Sequence, residues 1–225
     1  MCGRFVLDLE LDELISEFVA QEHRIPDWAP HWNIAPTATI PIVVDRADGE
    51  GTLRTIGPAR WSLTPSWSDT LEVKYPTFNA RSESATEKPT FRDAVKRHRA
   101  LIPATAYYEW HSEGGLKTPY ALRPAHDAVF AFAGLYSIWS AGDTTIVTAT
   151  MLTADATPEL SWLHPRRPLA LPREMWDTWL NPRVVGTQSL LSDAAESSLG
   201  HMAHLECYRV APLEGNGPEL LAPVG

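Results

Sequence analysis

Apolar positions recur along the chain with two different periods. Over residues 9–20, Leu11, Leu14, Ile15, Phe18 and Val19 fall on one helical face, which predicts an amphipathic helix. Residues 38–45 and 52–61 predict two strands joined by a polar turn at Asp48–Gly51. Thr90 and Asp93 stand at capping-box spacing and predict a helix over 91–98. Strands follow around 100–111, 117–123, 128–138 and 144–153, with Gly114–Gly115, Pro124 and Gly142 at their turns. Thr157 before Pro158 predicts a helix over 158–163, with proline in its first turn. Further helices are expected over 173–180, ending before Pro182, and over 191–199, with Gly200 as C-cap. Residues 205–211 predict a closing strand. No repeat or linker divides the pattern. The expectation is a single α+β domain over 1–225, built on a mostly antiparallel, curved, barrel-like sheet with flanking helices.

Composition changes this picture little. A chain of 225 residues, 44% hydrophobic and 21% charged, can bury a core without disulfides or metals. Its formal net charge of -9 counts against non-specific DNA binding driven by bulk charge, because phosphate affinity comes from Lys and Arg. A local basic groove stays open: Lys96, Arg97, His98 and Arg99 form one basic run, Arg166 and Arg167 another, and each also reads as a solvated face. Nine tryptophans supply either core or stacking surfaces for bases. There are two cysteines, no signal-like N-terminal stretch and no apolar run long enough to span a membrane, so the chain is expected to be cytoplasmic with reduced thiols. His201, His204 and Cys207 lack a fourth ligand nearby, so no metal is expected, and Cys207 reads as a small buried hydrophobe.

The candidate chemistry lies at the beginning. The chain opens Met1-Cys2-Gly3-Arg4-Phe5, and loss of Met1 would leave Cys2 with an α-amine and a thiol on one residue. At a reference pKa of about 7.7–8.0, roughly one such amine in seven is free at neutral pH. A thiol near 8.5 is a few per cent thiolate. The pair can attack an amide carbonyl. It can also condense with an aldehyde: the amine forms a Schiff base and the thiol closes onto it as a five-membered thiazolidine. By itself a Met-Cys start is only where a chain begins.

The rest of the sequence lowers that reading. Trp32-Asn33-Ile34-Ala35-Pro36-Thr37, Arg60-Trp61-Ser62-Leu63-Thr64-Pro65-Ser66-Trp67 and Phe78-Asn79-Ala80-Arg81-Ser82-Glu83 follow the N-terminal motif. Phe91-Arg92, Ile102-Pro103-Ala104, Tyr107-Tyr108-Glu109-Trp110, Leu163-His164-Pro165-Arg166-Arg167-Pro168 and Gly217-Pro218-Glu219-Leu220 complete the series. In this order the motifs resemble the SRAP family, the abasic-site processing proteins also called SOS response-associated peptidases. The chain departs from the family pattern at Arg167, where Met is common, at Ala100, where Cys is common, and over Val210-Ala211-Pro212-Leu213-Glu214, a stretch elsewhere richer in Asn and Arg. The last departure bears on whether the C-terminal segment helps to bind DNA.

The resemblance implies covalent capture of abasic sites in single-stranded DNA by Cys2, as a thiazolidine with the sugar aldehyde, and peptidase-type removal of Met1. It implies no cofactor and a monomer working on abasic single-stranded DNA, at the nucleoid if the source is bacterial. Asn79, otherwise a turn asparagine, would hydrogen-bond the opened sugar or the Cys2 amine. Glu109, otherwise an edge or ion-paired carboxylate, would orient the amine and accept its proton. His164 would protonate the ring oxygen to open the sugar and assist loss of water from the carbinolamine. Arg4, Arg81 and Arg166 are the candidate phosphate contacts, with Arg92 and Arg99 behind them. Trp67 would stack on a base, and Trp61 belongs to the core. Two other readings compete: an N-terminal nucleophile amidase, which would turn over, and a non-covalent single-strand binder, which would tolerate loss of Cys2.

Overall fold

The computed structural model describes all residues except 1, 24, 26, 125–128, 203, 204 and 225. Two sheets organise it. The larger contains β2 (Glu22–His23), β4 (Thr39–Asp48), β5 (Gly51–Trp61), β6 (Asn79–Arg81), β7 (Arg99–Ala104), β10 (Phe130–Ala141), β11 (Thr144–Asp155) and β12 (Arg166–Pro168). Its strands run β11-β10-β7-β4-β5 by antiparallel pairing, and parallel bridges Thr148↔Arg60 and Ala149↔Trp61 close them into a barrel. β7 is buried along its whole length, as a strand inside such a barrel must be.

The second sheet has the order β13-β9-β8-β1-β3, with β1 (Arg4–Leu7), β3 (His31–Ile34), β8 (Ala106–Glu113), β9 (Leu116–Pro124) and β13 (Leu205–Arg209). Alternation divides its faces. Phe5, Tyr107 and Leu122 join the main core, while Val6, Tyr108 and Ala121 join a smaller cluster closed by Val210 and Leu220. Four α-helices stand among the described residues: α1 (Leu11–Phe18), α2 (Arg92–Arg97), α3 (Arg173–Leu180) and α4 (Gln188–Met202). None is long and apolar enough to cross a membrane. The expected α+β class with a curved, mostly antiparallel, barrel-like sheet is what the chain adopts.

Several local expectations are corrected. The run 100–111 is two strands in two sheets, broken at Thr105, whose N–H donates to the Val6 carbonyl at 2.8 Å. The apolar sequence is continuous there because both halves are buried. Residues 158–163 form turns, not a helix, held by Leu160 N–H to the Thr157 carbonyl and Leu163 N–H to the Leu160 carbonyl. Thr90 does not cap α2: its N-cap is Phe91, and the preceding turns satisfy the first amides, with Arg92 N–H bonded to the Lys88 carbonyl. Gly200 lies inside α4, which starts earlier than expected, and the closing strand stops at Arg209. Val19 leaves the apolar face of α1 because it adopts the left-handed C-cap conformation, and it is 63% exposed.

Neither basic run is simply a solvated face. Arg99 is buried, and all five guanidinium N–H groups meet carbonyls, those of Trp179, Val95, Lys96, Asn181 and Val184. It therefore has no donor left for a phosphate. Arg167 is also buried, bonded to Ser198 Oγ and to the carbonyls of Ala195 and Pro168. Trp61 is core as expected, its indole N–H donating to the Phe78 carbonyl at 2.9 Å. Of the grouping weighed as a metal site, the His201 side chain and His204 lie outside the described residues, and Cys207 is half-buried on β13.

Candidate active site around Cys2

Cys2 precedes β1, which pairs with β8 through Arg4↔Tyr108 and Phe5↔Tyr107. That register carries the start of the chain alongside Glu109. Cys2 is 1% exposed, and its thiol faces the Arg4 carbonyl at 3.6 Å. Burial pushes the thiol well above its ordinary range, and the Glu109 carboxylate adds to the rise. In this state the sulfur is held as a neutral thiol.

An aromatic chain fixes what meets Cys2. Phe5 packs edge-on against Trp61 at 4.9 Å, and Trp61 against Phe78 at 5.7 Å. Asn79 follows Phe78 and opens β6, which runs parallel to β11. Its Nδ2 donates to the Cys2 carbonyl at 2.7 Å. Its Oδ1 is buried and has no hydrogen-bond partner among the described residues. A buried amide oxygen left this way is an acceptor in waiting.

Glu109 is buried on β8, on the same strand face as Tyr107 and His111 and opposite Tyr120 of β9. Burial pushes its carboxyl up to about 7, so it exchanges a proton in the neutral range. Tyr107, two residues earlier, is fully buried. Burial, then the Cys2 and Glu109 charges, keep its hydroxyl protonated far above its ordinary value. His164 sits half-buried at the end of the 157–163 turns. Its Nδ1 lies 2.9 Å from the Arg166 N–H, which it accepts when that nitrogen is bare, and 3.1 Å from the Arg166 carbonyl, to which it donates when protonated. Burial lowers its pKa, and the positive charge of Arg166 contributes to that shift. The Glu109 charge acts on the Cys2 thiol, and the Cys2 and Glu109 charges both act on Tyr107. Cys2 and Glu109 together offer a buried thiol beside a carboxyl poised near neutrality, and His164 offers an imidazole, groups that suit nucleophilic attack with proton transfer.

The phosphate and stacking candidates stand in different situations. Arg81 is exposed at the end of β6, on the strand that opens with Asn79, and makes no side-chain hydrogen bond or ion pair among the described residues. Arg166 bonds both Glu83 carboxylate oxygens, Asp155 and the Thr153 carbonyl. Arg4 is half-buried and donates to Asn33 Oδ1 at 2.6 Å, while Asn33 Nδ2 donates to the Gly215 carbonyl. Trp67 is 63% exposed in the loop between β5 and β6, beside Pro65 and Pro89.

A family model described as "SOS response associated peptidase (SRAP)" matches residues 1–216. The chain belongs to the SRAP family. It is 32% identical to the abasic site processing protein YoaM of Bacillus subtilis, over 98% of this chain and 97% of that one. It is 26% identical to the abasic site processing protein HMCES of Xenopus tropicalis, over 85% of this chain and 69% of that one. A crystal structure of a protein from Bacteroides thetaiotaomicron superposes with a TM-score of 0.83 at 21% identity, covering 99% of this chain and 100% of that one, which shows the shared fold.

Within this SRAP chain, Tyr107 was not singled out from the sequence, although strand alternation places it on the face of Glu109. Arg167, one of the departures from the SRAP pattern, lies behind the site. Its charge acts on Tyr107, and its bonds to Ser198 and Ala195 tie β12 to α4.

Proposed function

We propose that this chain captures abasic sites in single-stranded DNA through Cys2 once Met1 has been removed. The observation that carries the reading is the buried Cys2 with Asn79 on its carbonyl and a Glu109 carboxyl held near 7 beside it. The named relatives are abasic site processing proteins, which supports the choice of an aldehyde over an amide as target.

The steps balance without any added reagent. His164, in its protonated form, gives a proton to the sugar ring oxygen as the C1′–O bond breaks, and takes up the C1′ hydroxyl proton as the aldehyde forms. The Cys2 amine, its proton passed to the Glu109 carboxylate, adds to C1′. The carbinolamine loses one water to become an imine: His164 protonates the leaving hydroxyl and takes back the nitrogen proton as the C=N bond forms. The thiol then adds across the C=N bond: sulfur bonds to C1′ and its proton ends on nitrogen. Closing the ring removes the imine that would otherwise lead to β-elimination and strand cleavage. The net change is condensation of amine, thiol and aldehyde with loss of one water.

Removal of Met1 fits the same groups. The thiol of Cys2 can take the acyl group of the preceding peptide bond as a thioester, which water then cleaves, leaving the free α-amine. The chain works as one domain and a monomer, in the compartment that holds the DNA, which is the nucleoid if the source is bacterial. Selectivity follows from shape, because a sugar without its base enters where an intact nucleotide does not fit.

Intact-mass spectrometry with an abasic oligonucleotide tests this directly. The expected species lacks Met1 and gains the mass of one strand less one water. A Cys2→Ala chain that formed the same heat-stable adduct would overturn the thiazolidine. Many products per chain and no adduct would favour an amidase instead.

A further inference from the structure

Trp162 is 48% exposed, two residues before His164 and remote in sequence from Trp67. Its ring is set edge-on to Tyr120 at 5.2 Å and tilted against His111 at 5.3 Å, and His111 Nδ1 donates to the Trp162 carbonyl at 2.8 Å. The turns beneath it are closed by backbone bonds from Ser161 to Thr157 and from His164 to Leu160. The indole is thus mounted rigidly while one part of its surface faces solvent. An aromatic face held this way binds a flat ring at little cost in side-chain entropy.

The register places the residues that hold this ring next to Glu109 on the sheet. Glu109 is the cross-strand partner of Tyr120, and His111 lies on the same face of β8. Arg209 of β13 is the partner of Tyr120 on its other side, so Glu109, Tyr120 and Arg209 form one row across the sheet. Arg209 is exposed and makes no side-chain hydrogen bond or ion pair among the described residues. A cleft of about 540 Å³ opens from Trp162 along Leu160, Leu205 and Cys207, within the size range of small-ligand sites. Glu159 on its wall disfavours a phosphate there. That leaves the cleft for the base and Arg209 for the backbone.

We infer that Trp162 and Arg209 form a subsite for a nucleotide next to the abasic site, its base stacked on the indole and its phosphate paired with the guanidinium. The inference rests on the capture reading for which strand enters, and it adds where that strand runs beyond Glu109. It also bears on the divergent segment after Arg209, since a cation on β13 supplies charge just before the stretch 210–214 that has no Arg of its own.

The test uses the full chain and a single-stranded oligonucleotide carrying a tetrahydrofuran abasic analogue, which has no aldehyde and so binds without reacting. Trp162→Ala is expected to weaken the Kd by about 5- to 100-fold, the usual effect of losing one base stack, and Trp162→Phe to keep most of the affinity. The Trp162→Ala loss should disappear when the neighbouring nucleotide on one side is itself made baseless. Arg209→Gln should lower the slope of log K against log salt by about 0.7. Equal Kd values for wild type and Trp162→Ala would overturn the subsite. So would indole fluorescence quenched by a mononucleotide but not by the strand, which would mark a free-nucleotide site. The capture reading is judged separately, by adduct formation with a true abasic strand. A wild type that forms no adduct, with Trp162→Ala still weakening the analogue, would sink capture and leave the subsite standing. Failure of the wild type to bind the analogue strand would sink the subsite, with capture still decided by adduct formation.

Discussion

Asn79 Nδ2 donates to the carbonyl oxygen of Cys2 at 2.7 Å, and the Phe5–Trp61–Phe78 aromatic chain holds the two residues in that relation from both sides. Asn79→Ala leaves a buried carbonyl without its donor, so unfolding free energy should fall by about 1–3 kcal/mol. Asn79→Asp is the sharper variant, because it sets a carboxylate oxygen against the carbonyl oxygen and still fills the space. Single-turnover crosslinking should be slower in Asn79→Asp than in Asn79→Ala, with urea unfolding run in parallel. Crosslinking by Asn79→Asp at the wild-type rate would show that this contact does not position Cys2.

Glu109 ties stability to pH in a direction opposite to that of most carboxylates. Its ordinary value is 4.5 and burial pushes it up to about 7, so the folded chain holds the proton more tightly than the unfolded chain. The resulting stabilisation is complete below about pH 4.5 and is lost as pH rises through about 7. Glu109→Gln has no such proton to lose. Measured by urea unfolding, its stability relative to wild type should increase between pH 5 and pH 9 by about 1–3 kcal/mol. Crosslinking should show the reverse preference. The wild-type rate should climb through pH 7 as the carboxylate forms, and Glu109→Gln should keep only the rise due to the amine. A pH-independent stability difference would mean that Glu109 titrates normally.

Those two residues show what the sequence made legible. The ordered motifs pointed to Cys2, Asn79, Glu109 and His164, and strand alternation was strong enough to place most of the barrel. What stayed hidden depends on contacts between distant segments. The break at Thr105 is invisible in an apolar run because both halves are buried, one in each sheet. The short strands Arg4–Leu7, His31–Ile34 and Asn79–Arg81 carry too few residues to show a period, yet they set the register that brings Cys2 to Glu109 and Asn79. Likewise the charge run ending at Arg99 looked solvated, since nothing local reveals five carbonyls converging on one guanidinium.

That convergence makes Arg99 a stability determinant. It satisfies carbonyls at the end of α2, at the end of α3 and in the segment that follows, where Gly186 N–H also bonds the Lys96 carbonyl at 3.0 Å. Arg99→Lys keeps the charge but offers three donors in place of five. A loss of about 2–4 kcal/mol is expected for Arg99→Ala and a smaller one for Arg99→Lys, read from urea midpoints. Gly186→Ala should destabilise the same junction, because a Cβ there would stand 2.0 Å from the Val95 carbonyl oxygen. Wild-type midpoints in both Arg99 variants would mean that water replaces the guanidinium without penalty.

Arg81 and Arg166 separate DNA contact from scaffold. Arg81 is exposed with no ion pair among the described residues, whereas Arg166 is shared between Glu83 and Asp155 and reaches back to the Thr153 carbonyl. Its backbone N–H also supplies the hydrogen bond that fixes the His164 ring. Arg81→Ala should therefore leave thermal stability unchanged and reduce the slope of log K against log salt for single-stranded DNA by about 0.7. Arg166→Ala should lower the melting temperature, by the modest amount expected of a partly exposed pair, and should disturb His164 as its backbone loosens. An NMR titration of the His164 ring reads that second effect: loss of the Arg166 charge raises its pKa where the Arg166 carbonyl keeps its contact, and loosening of that contact, which itself holds the pKa up, lowers it. If Arg166→Ala instead changed the salt slope as much as Arg81→Ala, with His164 untouched, Arg166 would be trading its carboxylates for phosphate on binding.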